Sequence, residues 1–437
     1  MKEVVVIGAG ASGLAAIRSL LKYKDKVNIT AYEVSDRVGG LWVNRDPYKT
    51  SPMYDGLQTN SYKAVCGFAD SLGVEVKESY VYHSQYLQYI EDYSKKFNMH
   101  QYIQFRHRVL EVDPYKTENE RERWCVTARN ETNGVVRTQQ FDAVVVCNGH
   151  HEKPHIPDVK GMKTYTGETM HSIYYQSPEY FKGKTVLIVG GKVSGLDILF
   201  HMKSAPKKIY FSHHNPLIAS PLPDNTEHVT DISEISGDDI ILNDGRVIQA
   251  DIILFATGYE YYFPFLSDRC RPTVKDGHVT NIYRMMVDID HPSLYYIGLN
   301  TVVVALYQLS FQAELAAAFI SEKIPPVSKE EMKNEYDDWY KRHVTDLGKR
   351  PKDYHIMPSS QHEYAAILAK ESLSDFPVTS LPQQFILKVM EMSSANYEHW
   401  RSTIYKILSN DSYETVYEHP VYSSVGNKEN LTQTAIS

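Results

Sequence analysis

At 437 residues and 42% hydrophobic content, the chain is too long for one ordinary core and large enough to enclose a sizeable ligand. Its net charge of −8 excludes the concentrated basic face that a phosphate backbone requires, so nucleic acid is not an expected partner. Cys66, Cys125, Cys147 and Cys270 stand far apart without CxxC or Cys/His ligand spacing, which argues against a dithiol centre and against any metal site; Cys125 and Cys147, in strand-like runs, read as reduced core residues. No run of about 18 uncharged apolar residues occurs, and Glu3 and the glycines from Gly8 fit a strand entering a turn better than a leader peptide. A soluble, cytoplasmic chain without a membrane span is expected.

In chain order, Val4 to Ile7 reads as a buried strand, Ala11 to Ile17 as a helix and Val27 to Tyr32 as a second strand, a β-α-β unit. A helix is expected over Gln85–Phe97 and a buried strand over Gln140–Cys147, followed by a proline-bearing linker from His150 to Pro157. Lys184–Val189, a glycine turn with helix, and Lys208–Phe211 form a second β-α-β unit, which ends in the strand Asp251–Phe255. Ser293–Gly298 regains strand character, Ala305–Glu322 is a helix stopped by Pro325 and Pro326, and helical patterns rich in tyrosine run to about Tyr417. Residues 423–437 are polar and read as a frayed tail.

Gly8-Ala9-Gly10-Ala11-Ser12-Gly13 is a GxGxxG loop between strand and helix, with Glu33 closing the next strand about 20 residues on, where a carboxylate can bind ribose hydroxyls. A plain glycine turn in an ordinary β-α-β unit is the competing reading. The second loop, Gly190-Gly191-Lys192-Val193-Ser194-Gly195, has Lys192 where the middle glycine belongs, which should weaken close backbone approach, although an ammonium can bind phosphate. Its partner strand ends in Ser212-His213-His214 instead of an acid, with Lys207 and Lys208 just before. Those donors suit the 2′-phosphate of NADPH better than the hydroxyl of NADH, though two histidines also fit a plain polar strand end.

Asp36-Arg37-Val38-Gly39-Gly40-Leu41-Trp42 follows Glu33, and Tyr165-Thr166-Gly167-Glu168-Thr169-Met170-His171-Ser172-Ile173-Tyr174-Tyr175 joins the two units. The latter resembles the FxGxxxHxxx(Y/F) signature of class B flavoprotein monooxygenases, with Tyr165 in place of the leading Phe. With Asp55–Asn60 and Phe255–Tyr259, the set resembles the flavin-containing monooxygenase family over about residues 1–325, and the soluble chain with its His213-His214 pair is similar to the insect-type branch that includes alkaloid N-oxygenases.

The resemblance implies an α/β fold of two Rossmann-like dinucleotide domains, the NADPH domain (158–285) inserted into an FAD domain (1–157 and 286–422), with a helical C-terminal region. It implies FAD contacts from the first loop and Glu33, and from Arg37, Gly40, Leu41, Trp42, Thr59, Asn60, Val109 and Gln312. NADPH contacts are implied at Gly190, Lys192, Ser194, Gly195, Ser212, His213 and His214, and nucleotide contacts at Thr257 and Gly258. Trp42 reads equally well as a core aromatic, and His171 as a structural residue. Asn60, alone named as catalytic, would orient the reactive oxygen of a C4a-hydroperoxyflavin formed from NADPH-reduced FAD and O2; by itself it is a turn residue. The expected substrate is a tertiary amine, alkaloid or sulfide, and a homo-oligomer is expected by analogy only. A Baeyer–Villiger monooxygenase acting on a ketone is the runner-up, and a flavoprotein that binds without turnover, for which Lys192 speaks, is the reading outside enzymology.

Overall fold

The computed structural model describes residues 1–213 and 220–423. Strand β1 (Lys2–Ile7), helix α1 (Ala11–Leu20) and strand β2 (Val27–Glu33) make the first β-α-β unit. β1 pairs in parallel with β2 on one side and with β3 (Ala143–Val146) on the other. Val4, Val5 and Val6 are fully buried, because helices and a second layer cover both faces of this sheet, which is why the strand reads as a continuous apolar run. The sheet has seven strands, and Leu294–Tyr296, from far along the chain, pairs in parallel with β3.

The second unit consists of β4 (Thr185–Val189), α2 (Val193–Met202) and β5 (Lys208–Ser212), within a separate five-stranded parallel sheet. Its outer strands are Glu168–His171 and Thr226–Val229, so every strand lies between the two chain segments that build the first sheet. The fold is therefore α/β, with one Rossmann-like unit inserted into another.

Helix α3 (Ala305–Ile320) packs along α1 and is buried nearly all round. Helices Lys329–Tyr340 and Gln361–Ser372 follow, then α4 (Leu381–Ala395). The helical expectation fails from there: Ile404–Ser409 and Ser412–Tyr417 form an antiparallel hairpin. Expected strand 140–147 is also two strands. Val136–Phe141 closes a three-stranded antiparallel sheet, and the chain turns at Asp142, whose backbone pairs with Glu3 before β3 begins. The expected tail from 424 onward lies outside the described residues. Among the described residues no helix is long and apolar enough to cross a membrane, and no group of three or more His, Cys, Asp or Glu side chains could hold a metal ion.

Candidate functional site

Gly8 follows β1 with φ +103°, and a Cβ there would lie 2.5 Å from the Cys147 carbonyl oxygen. A Cβ on Gly13 would stand 1.9 Å from the Gly8 carbonyl oxygen, so α1 can start this close to the strand only on glycine. Gly10 and Gly40 face each other: a Cβ on Gly10 would be 3.1 Å from the Gly40 Cα. The α1 N-terminus has no side-chain cap and no acid in its first turn, leaving its N–H groups to an anionic ligand. This bare backbone cradle fits a pyrophosphate.

Glu33 is buried at the end of β2, where its carboxylate accepts from Ala9 N at 2.7 Å and Ser35 N at 2.9 Å, with Lys49 Nζ 3.3 Å away. It braces the loop while its oxygens retain lone pairs. Arg37 is largely exposed beside Asp36, and the Leu41 carbonyl accepts from Ser51 Oγ at 2.5 Å. Trp42 sets its ring edge-on to Tyr86 at 4.3 Å, against the core. Ser12 Oγ lies 2.9 Å from where a Cβ on Gly298 would fall. Gln312 Oε1 accepts from Gly298 N at 3.0 Å, so Gln312 secures that turn against the start of α1. Val109 sits apart on strand His107–Lys116, packed against the cluster that holds Tyr32. The Thr59 hydroxyl is spent internally, donating to Ser61 O at 2.8 Å and accepting from Val81 N at 3.0 Å.

The second loop repeats the first. Gly190 has φ +113° with a would-be Cβ 2.4 Å from Ala256 O, and a Cβ on Gly195 would be 1.8 Å from Gly190 O. Lys192 caps α2 at φ −85°, close to the −72° of Gly10 before α1, so its side chain imposes no backbone strain. Gly10 must be bare because Gly40 opposes it. The α2 N-terminus also lacks a side-chain cap and an acid in its first turn. Lys192 and Ser194 are exposed. Protein packed along Lys192 holds its ammonium below the usual lysine range; Asp353 opposes the fall, and Arg350 and Lys352 reinforce it.

Ser212 is fully buried, its hydroxyl donating to Asp231 Oδ1 at 3.2 Å. A carboxylate thus stands beside this strand end although β5 itself ends without an acid; it comes from just beyond the neighbouring strand, Thr226–Val229. His213 packs against Gly191 and the rings of Phe211 and His228. His214 lies outside the described residues. Thr257 Oγ1 donates to the His155 carbonyl, and the Gly258 carbonyl accepts from His171 Nε2 at 3.1 Å. His171 Nδ1 accepts from Ile173 N at 3.2 Å, which assigns the proton to Nε2, and burial holds the ring below its usual pKa. A neutral, fully engaged ring of this kind is a brace between the ends of two adjacent strands, Glu168–His171 and Ile252–Phe255, at one edge of the second sheet.

Asn60, on strand Gln58–Tyr62, links the two units through residues that no motif marks. Its Oδ1 accepts from an Arg401 guanidinium nitrogen at 2.6 Å, and the same nitrogen is 2.9 Å from Asp197 Oδ1 on α2. Tyr397 OH, at 3.0 Å, and Tyr54 OH also donate to Asp197.

Two nested Rossmann-like units, each with an uncapped helix behind a glycine turn, define an enzyme class that works with two dinucleotides. The chain belongs to the flavin-binding monooxygenase-like family, whose model matches residues 1–223 and 225–355. FAD, NADPH and dioxygen are the cofactors and co-substrate of that family. The chain is 32% identical over 397 residues to the flavin-containing monooxygenase FMO GS-OX5 of Arabidopsis thaliana, covering 84% of each chain. It superposes with a TM-score of 0.82 and 26% identity on S-allyl-L-cysteine S-oxygenase from Allium sativum, over 92% of this chain and 94% of that one. Tmm from Pelagibacter sp. strain HTCC7211 shares the fold at a TM-score of 0.82 and 24% identity, over 96% and 97% of the two chains.

Proposed function

We propose that this protein uses NADPH and dioxygen to oxygenate the nitrogen or sulfur of a soft nucleophilic small molecule, an amine or a sulfide. The observation that carries the reading is the twin geometry of the glycine loops, since a chain that merely stored flavin would need only one. Bound FAD and NADPH would supply hydride transfer and the activation of dioxygen. The protein's part is positioning. Gly8, Gly10 and Gly13 would hold the FAD pyrophosphate against bare backbone, with Glu33 toward its ribose. Gly190 and Gly195 would do the same for NADPH, with Lys192 adding an ammonium on the phosphate side. Asn60 would present a hydrogen-bond donor to the reacting oxygen, and His171 would keep the connecting segment docked on Gly258.

We assign residues 1–157 and 286–422 to the FAD part and 158–285 to the NADPH part, with strand Ile282–Tyr283 at the end of the latter already back in the first sheet, and the cytoplasm as the place of action. Sulfur oxygenation is supported by the sulfide-bearing substrate named for the Allium relative.

The deciding experiment mixes FAD-loaded protein with NADPH anaerobically, then admits isotopically labelled dioxygen in the presence of a tertiary amine, a sulfide or a ketone. One labelled oxygen atom in the amine or sulfide product is the expected result. An ester from the ketone would establish Baeyer–Villiger chemistry instead, and failure of NADPH to bleach the flavin would leave only a binding module.

A further inference from the structure

Arg401 occupies a place that neither dinucleotide fingerprint predicts. It is separated from Asn60 by more than three hundred residues, yet a guanidinium nitrogen lies 2.6 Å from the Asn60 amide oxygen. A guanidinium donates and never accepts, so this contact is possible only with Oδ1 toward Arg401 and Nδ2 turned away. Rotating the amide by half a turn would set two donors against each other. Among the described residues Nδ2 makes no hydrogen bond, so the contact leaves a directed donor free. Arg401 is itself fixed from two sides, by Asp197 Oδ1 at 2.9 Å and by the Trp400 ring, whose centroid is 4.3 Å from the guanidinium carbon. Asp197 belongs to α2, the helix of the second glycine loop, and two tyrosine hydroxyls point its carboxylate.

We propose that Arg401 is a positioning residue that sets which end of the Asn60 amide faces the reaction space, and that Asp197 of α2 holds it in that role. The inference rests on the oxygenation reading above. Through this relay the flavin-side amide is aligned only while the helix of the second nucleotide loop is in place. Its chemistry is polarity, not charge: any side chain that can only donate would keep the amide in register, and one that can also accept would release it.

The test compares R401K and R401Q in the FAD-loaded full chain. Lysine is donor-only, whereas glutamine can offer either its oxygen or its NH2 to Asn60. R401Q is expected to lower product formed per NADPH consumed by about tenfold, with hydrogen peroxide making up the difference, and R401K to restore most of it. FAD content, anaerobic flavin reduction by NADPH and the NADP+ dissociation constant should agree between the two variants within about twofold, and their melting temperatures within about 2 °C. D197N should fall between them. Equal loss in R401K and R401Q, or a loss that tracks melting temperature or FAD content, overturns the proposal and reduces Arg401 to a packing element. Absence of oxygenated product from the unaltered protein is a different failure, that of the oxygenation reading itself.

Discussion

Gly190 and Lys192 stand two residues apart in the same loop, and substitution should affect them in opposite degree. Gly190 has a left-handed φ of +113° and no room for a Cβ, whose nearest neighbour would be the Ala256 carbonyl oxygen at 2.4 Å. Gly190→Ala should displace the loop from β4 and slow flavin reduction by NADPH by about 100-fold, the scale of a 1 Å misplacement, while FAD content stays unchanged. Lys192→Ala should leave the loop intact, because its backbone already suits any residue, and should raise the NADPH dissociation constant by roughly three- to tenfold through loss of one phosphate contact. Stopped-flow reduction across an NADPH titration separates the two effects. The glycine fingerprints were legible in the sequence because strand, turn and helix are neighbours there. Arg401, Asp197 and Asp231 were not, since the contacts that give them meaning join positions up to 341 residues apart.

At the scale of elements, strand Gln58–Tyr62 is held from the C-terminal side. Phe385 of α4 stacks on Tyr62 at 5.0 Å and on Tyr413 of the hairpin at 4.5 Å, with only 1% of its surface exposed. Tyr62 OH donates to the Tyr405 carbonyl at 2.6 Å, tying the same strand to the hairpin. Phe385→Ala should remove about 3 kcal/mol, a fall in melting temperature of roughly 3–5 °C for a unit of this size, and lower product yield per NADPH because Asn60 shares that strand. Phe385→Leu should cost about half as much; calorimetry beside a coupling assay checks both. The hairpin was misread as helix because tyrosines and charges recur through Ile404–Tyr417. Its period is in fact two, with Tyr405 and Ile407 packed inward and Lys406 and Leu408 outward, but this short alternation is legible only once α4 supplies the surface it covers. Strand 140–147 failed for a different reason: Asp142 interrupts the apolar residues at the break itself, but only its pairing with Glu3 shows that one sheet hands over to another there.

The molecule as a whole carries many histidines away from water. Burial holds His83, His150, His151, His171, His201, His278, His343 and His355 below the usual imidazole range, His355 down to about 3. Each stays neutral in the folded protein while its unfolded counterpart takes a proton below about pH 6.5. Protons therefore favour the unfolded state: the stability is fully present above about pH 6.5 and is lost as pH falls from there toward the folded values. Among the described residues that titrate near pH 6, three groups act in the opposite sense. Burial pushes Asp288 up to about 6 and raises Glu335, and His291 is raised by its hydrogen bond to Glu122. Each deeply buried histidine contributes up to about 1.4 kcal/mol per pH unit, so the eight outweigh the three. The melting temperature should fall by several degrees between pH 7.5 and pH 5.5, a range above the one in which the depressed surface carboxylates begin to titrate. His355 is the place to test the cause, because it is 1% exposed and its Nε2 accepts from Val279 N at 3.2 Å. His355→Gln keeps an acceptor there and removes the titration. The variant should melt lower at pH 7.5 but show a shallower decline toward pH 5.5, and an unchanged slope would move the acid sensitivity to the other histidines.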